Sequence, residues 1–132
     1  MNVDWTVELD RWLDRTDDAA RKGDAHAKGV MVRVIEAISA LRALTEPPEE
    51  EVPSLKRVRQ SKRHQLWRTS HPYVEGIAVR LICWFPPKAQ DVVVIAFASD
   101  KAPIGDVFYD SVASRADAAI DSWKMQTDYD RK

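Results

Sequence analysis

Residues 77–98 read IAVRLICWFPPKAQDVVVIAFA. Ile77, Val79, Leu81, Cys83 and Phe85 alternate with Ala78, Arg80, Ile82 and Trp84. That period of two predicts a β-strand with two distinct faces. Pro86, Pro87 and Lys88 predict a turn. Asp91 to Ala98 is a nearly continuous apolar run, which predicts a strand covered on both faces and central in its sheet.

Working outward from this pair, Val3, Trp5, Val7 and Leu9 also alternate with polar residues, and predict a strand from Val3 to Leu9. A short helix is expected from Asp10, with Trp12, Leu13, Thr16 and Ala20 on one side. Gly23 suits its end and Asp24 the cap of the next helix. In that second helix Val30, Val34, Ile38, Leu41 and Thr45 recur at helical spacing, until Pro47 and Pro48 stop it. A further strand is expected at Gln65 to Ser70, a turn at His71-Pro72-Tyr73, and a last helix from about Asp106 to Trp123, with Phe108, Val112, Ala116, Ala119 and Trp123 as its inner stripe. The expected fold is α+β: N-terminal strand, helical hairpin, three-stranded antiparallel meander, C-terminal helix. Residues 1–124 form one domain, followed by a polar tail, 125–132, expected to fray.

A chain of 132 residues has room for one core. No run approaches the ~18 apolar residues of a membrane span. The opening MNVDWTVELD carries charges where an export signal needs an apolar run, so a cytoplasmic protein is expected. Its one cysteine, Cys83, lies in an apolar strand and reads as a small core residue. The net charge of −1 conceals an uneven distribution. Residues 1–53 hold seven Lys and Arg against twelve Asp and Glu, a net of −5, whereas residues 54–101 hold nine against three, a net of +6. From Ser54 to Val74 there is no acid, but there are Lys56, Arg57, Arg59, Lys62, Arg63 and Arg68, with His64 and His71 beside them. Such a block either forms a solvated hairpin or meets a polyanion through its summed field.

Neither HExxH nor CxxC spacing occurs, so no metal and no cofactor are expected. There is no glycine-rich phosphate loop and no GxSxG elbow. What remains is basic and aromatic. Arg80 interrupts an otherwise apolar strand, AVRLICW, where a charge is costly unless it lies on a solvent-facing groove, pairs with a carboxylate or meets a ligand anion. Lys101 follows the central strand and reads equally as a ligand contact or a turn lysine. Tyr109, in the last helix, reads equally as a core aromatic or a site residue. His64 reads first as a surface histidine, and Trp67 as a packing residue that also has the stacking face used in nucleic-acid sites.

The stretch from Pro53 to Trp123 resembles the RelE/HigB superfamily of type II toxin–antitoxin toxins, in particular its phage-derived, actinobacterial HigB-like branch. VRLICWF, ASDKA after the central strand, and FYDSVASRAD at the last helix carry the likeness, and the opening VDWTVEL and LDRWLD extend it over almost the whole chain. The resemblance implies a compact toxin that cleaves messenger RNA in the ribosomal decoding site, by attack of a 2′-hydroxyl on the adjacent phosphate without a metal. By position it makes Arg80, Lys101 and Tyr109 the catalytic set. Lys56, Arg57, Arg59, Lys62, Arg63, His64 and Arg68 then bind RNA. The implied partners are the ribosome, mRNA and a cognate antitoxin of helix-turn-helix type. Leu66-Trp67-Arg68-Thr69-Ser70 stands where the family often reads L-[WY]-E-L-R. The alternative is a RelE-fold protein without nuclease activity, either a blocker of a protein target such as gyrase or an antitoxin-binding module.

Overall fold

The structure is a computed structural model that describes residues 1–70, 77–100 and 105–131, with the backbone alone for 105–110. Its elements are β1 (Asn2–Trp5), α1 (Val7–Arg21), α2 (Ala25–Arg42), β2 (Leu55–Arg57), β3 (Leu66–Thr69), β4 (Arg80–Trp84), β5 (Val92–Ser99) and α3 (Gly105–Gln126), then a short 3₁₀ turn at Tyr129–Arg131. The five strands form one mixed sheet in the order β1-β5-β4-β3-β2. β2 to β5 make an antiparallel meander of four strands, one more than the sequence predicts, and β1 joins it parallel to β5. β5 is therefore an interior strand, buried on both faces as its unbroken apolar run predicts, but the central position belongs to β4.

The two faces of β4 sort as the alternation predicts. Val79, Leu81 and Cys83 join Val93, Ile95, Leu9, Val30, Val34 and Leu41 in a core beneath α1 and α2. Ile82 and Trp84 join Val94, Ala96, Val112, Ala116, Ile120 and Trp123 in a second core beneath α3. The molecule is a sheet between a helical hairpin and a single helix. An irregularity between Ile82 and Cys83 shifts the β4–β5 register, so that Ile82 faces Phe97 while Cys83 faces Ile95. Ala96 and Phe97 then both lie on the α3 side, the two-against-one count of a β-bulge.

Three expectations need correction. The first strand ends at Trp5, not Leu9: Thr6 caps α1, accepting the Leu9 amide at 3.2 Å, and Glu8 and Asp10 follow in the first turn. The alternation runs on through Val7 only in appearance, since Val7 is 42% exposed on the helix. The second correction is that α2 stops at Arg42, so Thr45 lies beyond it. The N-terminal ammonium of Met1 donates to the carbonyls of Arg42 and Leu44 at 2.7 and 3.0 Å, supplying partners for groups that a helix end leaves open. The third concerns the tail, which does not fray where described. Tyr129 is buried in the α3 core, packs against Trp84 and Trp123, and accepts a hydrogen bond from the Lys88 amide at 2.8 Å. The hairpin caps are as predicted, with Gly23 at φ 100° and the Asp24 side chain accepting from Ala27.

Both sheet edges are blunted against pairing with another chain. On β1 the Asp4 carboxylate accepts the Trp5 amide and the Trp123 indole. On β2 the Leu55 backbone is taken up by both polar groups of Val52.

Candidate functional site

Arg80 opens β4, opposite Ser99 of β5. Alternation puts its side chain on the α3 face with Ile82 and Trp84. The guanidinium is half-buried. One terminal nitrogen donates to the Val79 carbonyl at 3.1 Å, while the buried Nε has no hydrogen-bond partner among the described residues. No ion pair among the described residues includes Arg80, so within that part of the molecule its charge is not spent on a carboxylate. A buried donor without a partner is costly unless a ligand supplies one.

Two more residues of the basic block share this face. Arg68 stands opposite Ile82, and Lys56 opposite Arg68. Since Ile82 is two residues along from Arg80, Arg68 and Arg80 are diagonal neighbours, a relation that places Cβ atoms within about 7–8 Å. Strand register thus brings Lys56 and Arg68 side by side on β2 and β3, with Arg80 one diagonal step away on β4.

The other basic residues of the block lie away from this group. Arg57 is on the opposite face, its guanidinium 5.2 Å from the Trp67 ring centre and donating to the Glu49 carbonyl. Arg59 is exposed and 3.7 Å from Glu51. Arg63 pairs with Asp121 of α3. His64 Nε2 lies 3.1 Å from the other Asp121 oxygen, and its ring stacks at a tilt on Trp84, 5.1 Å between centres. Asp117, also buried, accepts the backbone amides of Arg63 and His64 at 3.4 and 3.2 Å. The His64 pKa is lowered, first by burial, then by the Lys124 and Arg63 cations, against an opposing pull from Asp117. Lys62 is exposed in the same loop. Because His64 packs on the last residue of β4 and Arg80 is the first, the two lie at opposite ends of that strand, about 13 Å apart along it. The basic block therefore divides: Lys56 and Arg68 stand with Arg80, and the Lys62–His64 segment is docked on the far half of α3. Lys101 lies outside the described residues, as does the His71-Pro72-Tyr73 turn. Tyr109 falls in the first turns of α3, and its side chain is outside the described part.

Among the described residues no group of three or more His, Cys, Asp or Glu is placed to hold a metal ion, and no helix is long and apolar enough to cross a membrane. Cys83 is free and fully buried, and burial pushes its thiol pKa up, away from nucleophilic use.

Sequence reasoning missed Asp117 and Asp121 as the anchors of the basic loop. They lie one helical turn apart but more than fifty residues from Arg63, so no local charge count reaches them. It also missed Arg11, Arg15 and Arg115, which line an open cleft of about 940 Å³ between α1 and α3.

Compared with models of known protein families, with curated proteins and with solved structures, the chain matches none.

Proposed function

We propose that this chain is a toxin of the RelE/HigB kind, paired with an antitoxin, and that it cleaves messenger RNA at the ribosome. The observation that carries this reading is the state of Arg80. It is a half-buried arginine at the head of an apolar strand, with a buried Nε lacking a partner and no ion pair among the described residues. It shares a sheet face with Lys56 and Arg68. A fixed group of cations suits a phosphodiester better than it suits water. The order of elements (strand, helical hairpin, antiparallel strands, helix) and the sequence likeness point the same way.

In this reaction the 2′-hydroxyl oxygen bonds to the adjacent phosphorus and the bond from phosphorus to the 5′ oxygen breaks. The products are a 2′,3′-cyclic phosphate and a 5′-hydroxyl end. Arg80 stabilises the charge that builds on the non-bridging oxygens. Lys56 and Arg68, both on the β3 side of Arg80, hold the RNA strand where it runs on across that face. Lys101 and Tyr109 are assigned by resemblance to proton delivery and RNA orientation. The ribosome supplies the mRNA in place, and a helix-turn-helix antitoxin covers the cationic face in the resting cell.

Induced expression followed by mapping of RNA 5′ ends tests the reading. New 5′-hydroxyl ends inside coding sequences are expected with the wild type and not with Arg80→Ala. Growth arrest without new ends rejects the nuclease.

A second reading, a protein of the same fold that binds an antitoxin or blocks a protein target without cutting RNA, is favoured by one observation. Arg63 and His64 are held by Asp117 and Asp121 and are not presented to a ligand.

A further inference from the structure

Strand β5 outruns its parallel neighbour. β1 pairs with Val92–Ile95, and the chain then leaves the sheet at Thr6 to enter α1. From Ala96 onward no described strand lies on that side of β5. The Ala96 carbonyl is covered, because Thr6 Oγ1 donates to it at 2.8 Å. Beyond that point Phe97 and Ala98 lie on the floor of the cleft between α1 and α3.

The cleft is sorted by charge. α1 carries Asp10, Asp14, Asp17 and Asp18, and none of them lines it. The α1 residues that do include Glu8, Arg11, Trp12 and Arg15. α3 supplies Arg115, which pairs with Glu8 while its guanidinium lies 4.2 Å from the Phe97 ring centre. Asp100, the other acid among the described lining residues, is 3.7 Å from His26. Glu8 is thus spent on Arg115, and Arg11 and Arg15, one helical turn apart, enter no ion pair among the described residues.

We infer that this cleft takes an extended, acidic segment of a partner protein as an added strand on the edge of β5. A strand that continues past its neighbour offers main-chain hydrogen bonds to a peptide. Carboxylates at alternate positions of such a peptide would meet Arg11 and Arg15 on the α1 wall, while the apolar side chains between them turn to the other face and settle on Phe97. The site stands whatever Arg80 does, although Ser99 of β5 pairs with Arg80, so a bound segment would lie about two strand spacings, ~10 Å, from β4.

The test uses the full chain, ¹⁵N-labelled, and four probes: a short synthetic peptide of alternating Glu and Val, the same peptide N-methylated throughout, its Lys and Val counterpart, and oligouridine. The expected result is saturable binding of the unmethylated acidic peptide alone, with shifts at the Phe97 and Ala98 amides. In the Arg11→Glu, Arg15→Glu double variant that affinity should fall ~10-fold or more with an unchanged melting temperature, since both side chains are exposed. Equal binding of the methylated peptide would show charge adsorption without strand addition. Binding of the Lys peptide, saturable binding of oligouridine at these amides, or no shift at Phe97 and Ala98 with the acidic peptide would each overturn the inference.

Discussion

His64 Nε2 and the Asp121 carboxylate are 3.1 Å apart, and the histidine ring is held against Trp84 with only a tenth of its side chain exposed. Burial favours the neutral ring, and Lys124 and Arg63 reinforce that preference. A neutral His64 with its proton on Nε2 donates to Asp121 and needs no net charge. The folded-state pKa is lower than the unfolded one, so near and below pH 6.5 the unfolded chain binds more protons than the folded chain. The stabilisation is complete about one pH unit above that value and is lost as pH falls through the folded pKa.

The expected outcome is a melting temperature that declines between about pH 7.5 and about pH 5.5, with a flatter profile in His64→Gln, since only the wild type has an imidazole to charge there. Identical slopes in the two proteins would remove His64 from the account.

Tyr129 makes a second test. Its ring lies 5.6 Å from that of Trp84 and 5.7 Å from that of Trp123, and the Lys124 ammonium stands over both Trp84 and Tyr129 at 5.4 and 5.5 Å. Tyr129→Phe keeps the ring and removes the acceptor for the Lys88 amide, which should cost about 1 kcal/mol. Tyr129→Ala, or a chain ended at Thr127, should cost about 3–5 kcal/mol, as for other buried aromatic truncations. Urea denaturation measures both. A truncated chain as stable as the full one would mean that the tail adds nothing to the core.

These residues also mark where the sequence stops being readable. The two faces of β4, the burial of β5 and the inner stripe of α3 from Val112 to Trp123 follow from periodicity, and the Gly23 and Asp24 caps from residue type, because each is a local pattern that the fold leaves intact. Tyr129 did not follow, since KMQTDYDRK is polar on average and only tertiary contact buries its one ring. The β1 boundary was misread because Val3, Trp5, Val7 and Leu9 keep alternating across a change of backbone. The signal that decides it is Thr6 followed by Glu8 and Asp10, an N-cap with acids in the first turn. Similarly, the basic block read as one surface because its countercharges Asp117 and Asp121 arrive from α3. Arg80 was legible because a charge in an apolar strand is conspicuous in one dimension.

Thr6 carries two hydrogen bonds with one hydroxyl: it caps α1 through the Leu9 amide and donates to the Ala96 carbonyl, and it is almost fully buried. Thr6→Val preserves shape and removes both. The lost cap costs ~0.5–2 kcal/mol and the orphaned buried carbonyl ~1–3 kcal/mol, and because the two share a site the sum is an upper bound. Thr6→Ser, which keeps the oxygen, should lose much less. Thermal melting of the three proteins decides it, and equal losses for Ser and Val would place the effect in packing rather than in the hydroxyl.

Arg80→Ala separates the two ways of explaining a charge in an apolar strand. Were Arg80 half of a buried structural ion pair, its removal would strand the partner and cost about 3–5 kcal/mol in stability. The described structure gives it no such partner. Among the described residues it has one hydrogen bond, to a neighbouring carbonyl, and one buried nitrogen with none. Deleting an unsatisfied donor recovers part of its desolvation cost, so the loss of packing from the aliphatic stem is offset and the net change should stay within about 1 kcal/mol. If RNA is the ligand, the same substitution removes a donor aimed at the phosphate in the transition state and should lower cleavage by about 10²–10³. Arg80→Lys sharpens the comparison, because it keeps the charge but not the planar fork, and it should recover only a part of the activity. Melting curves and 5′-end mapping on the wild type and both variants give the answer. An unchanged melting temperature with lost cleavage assigns Arg80 to the reaction. A large fall in melting temperature assigns it to the fold, and full cleavage by Arg80→Ala removes it from the site.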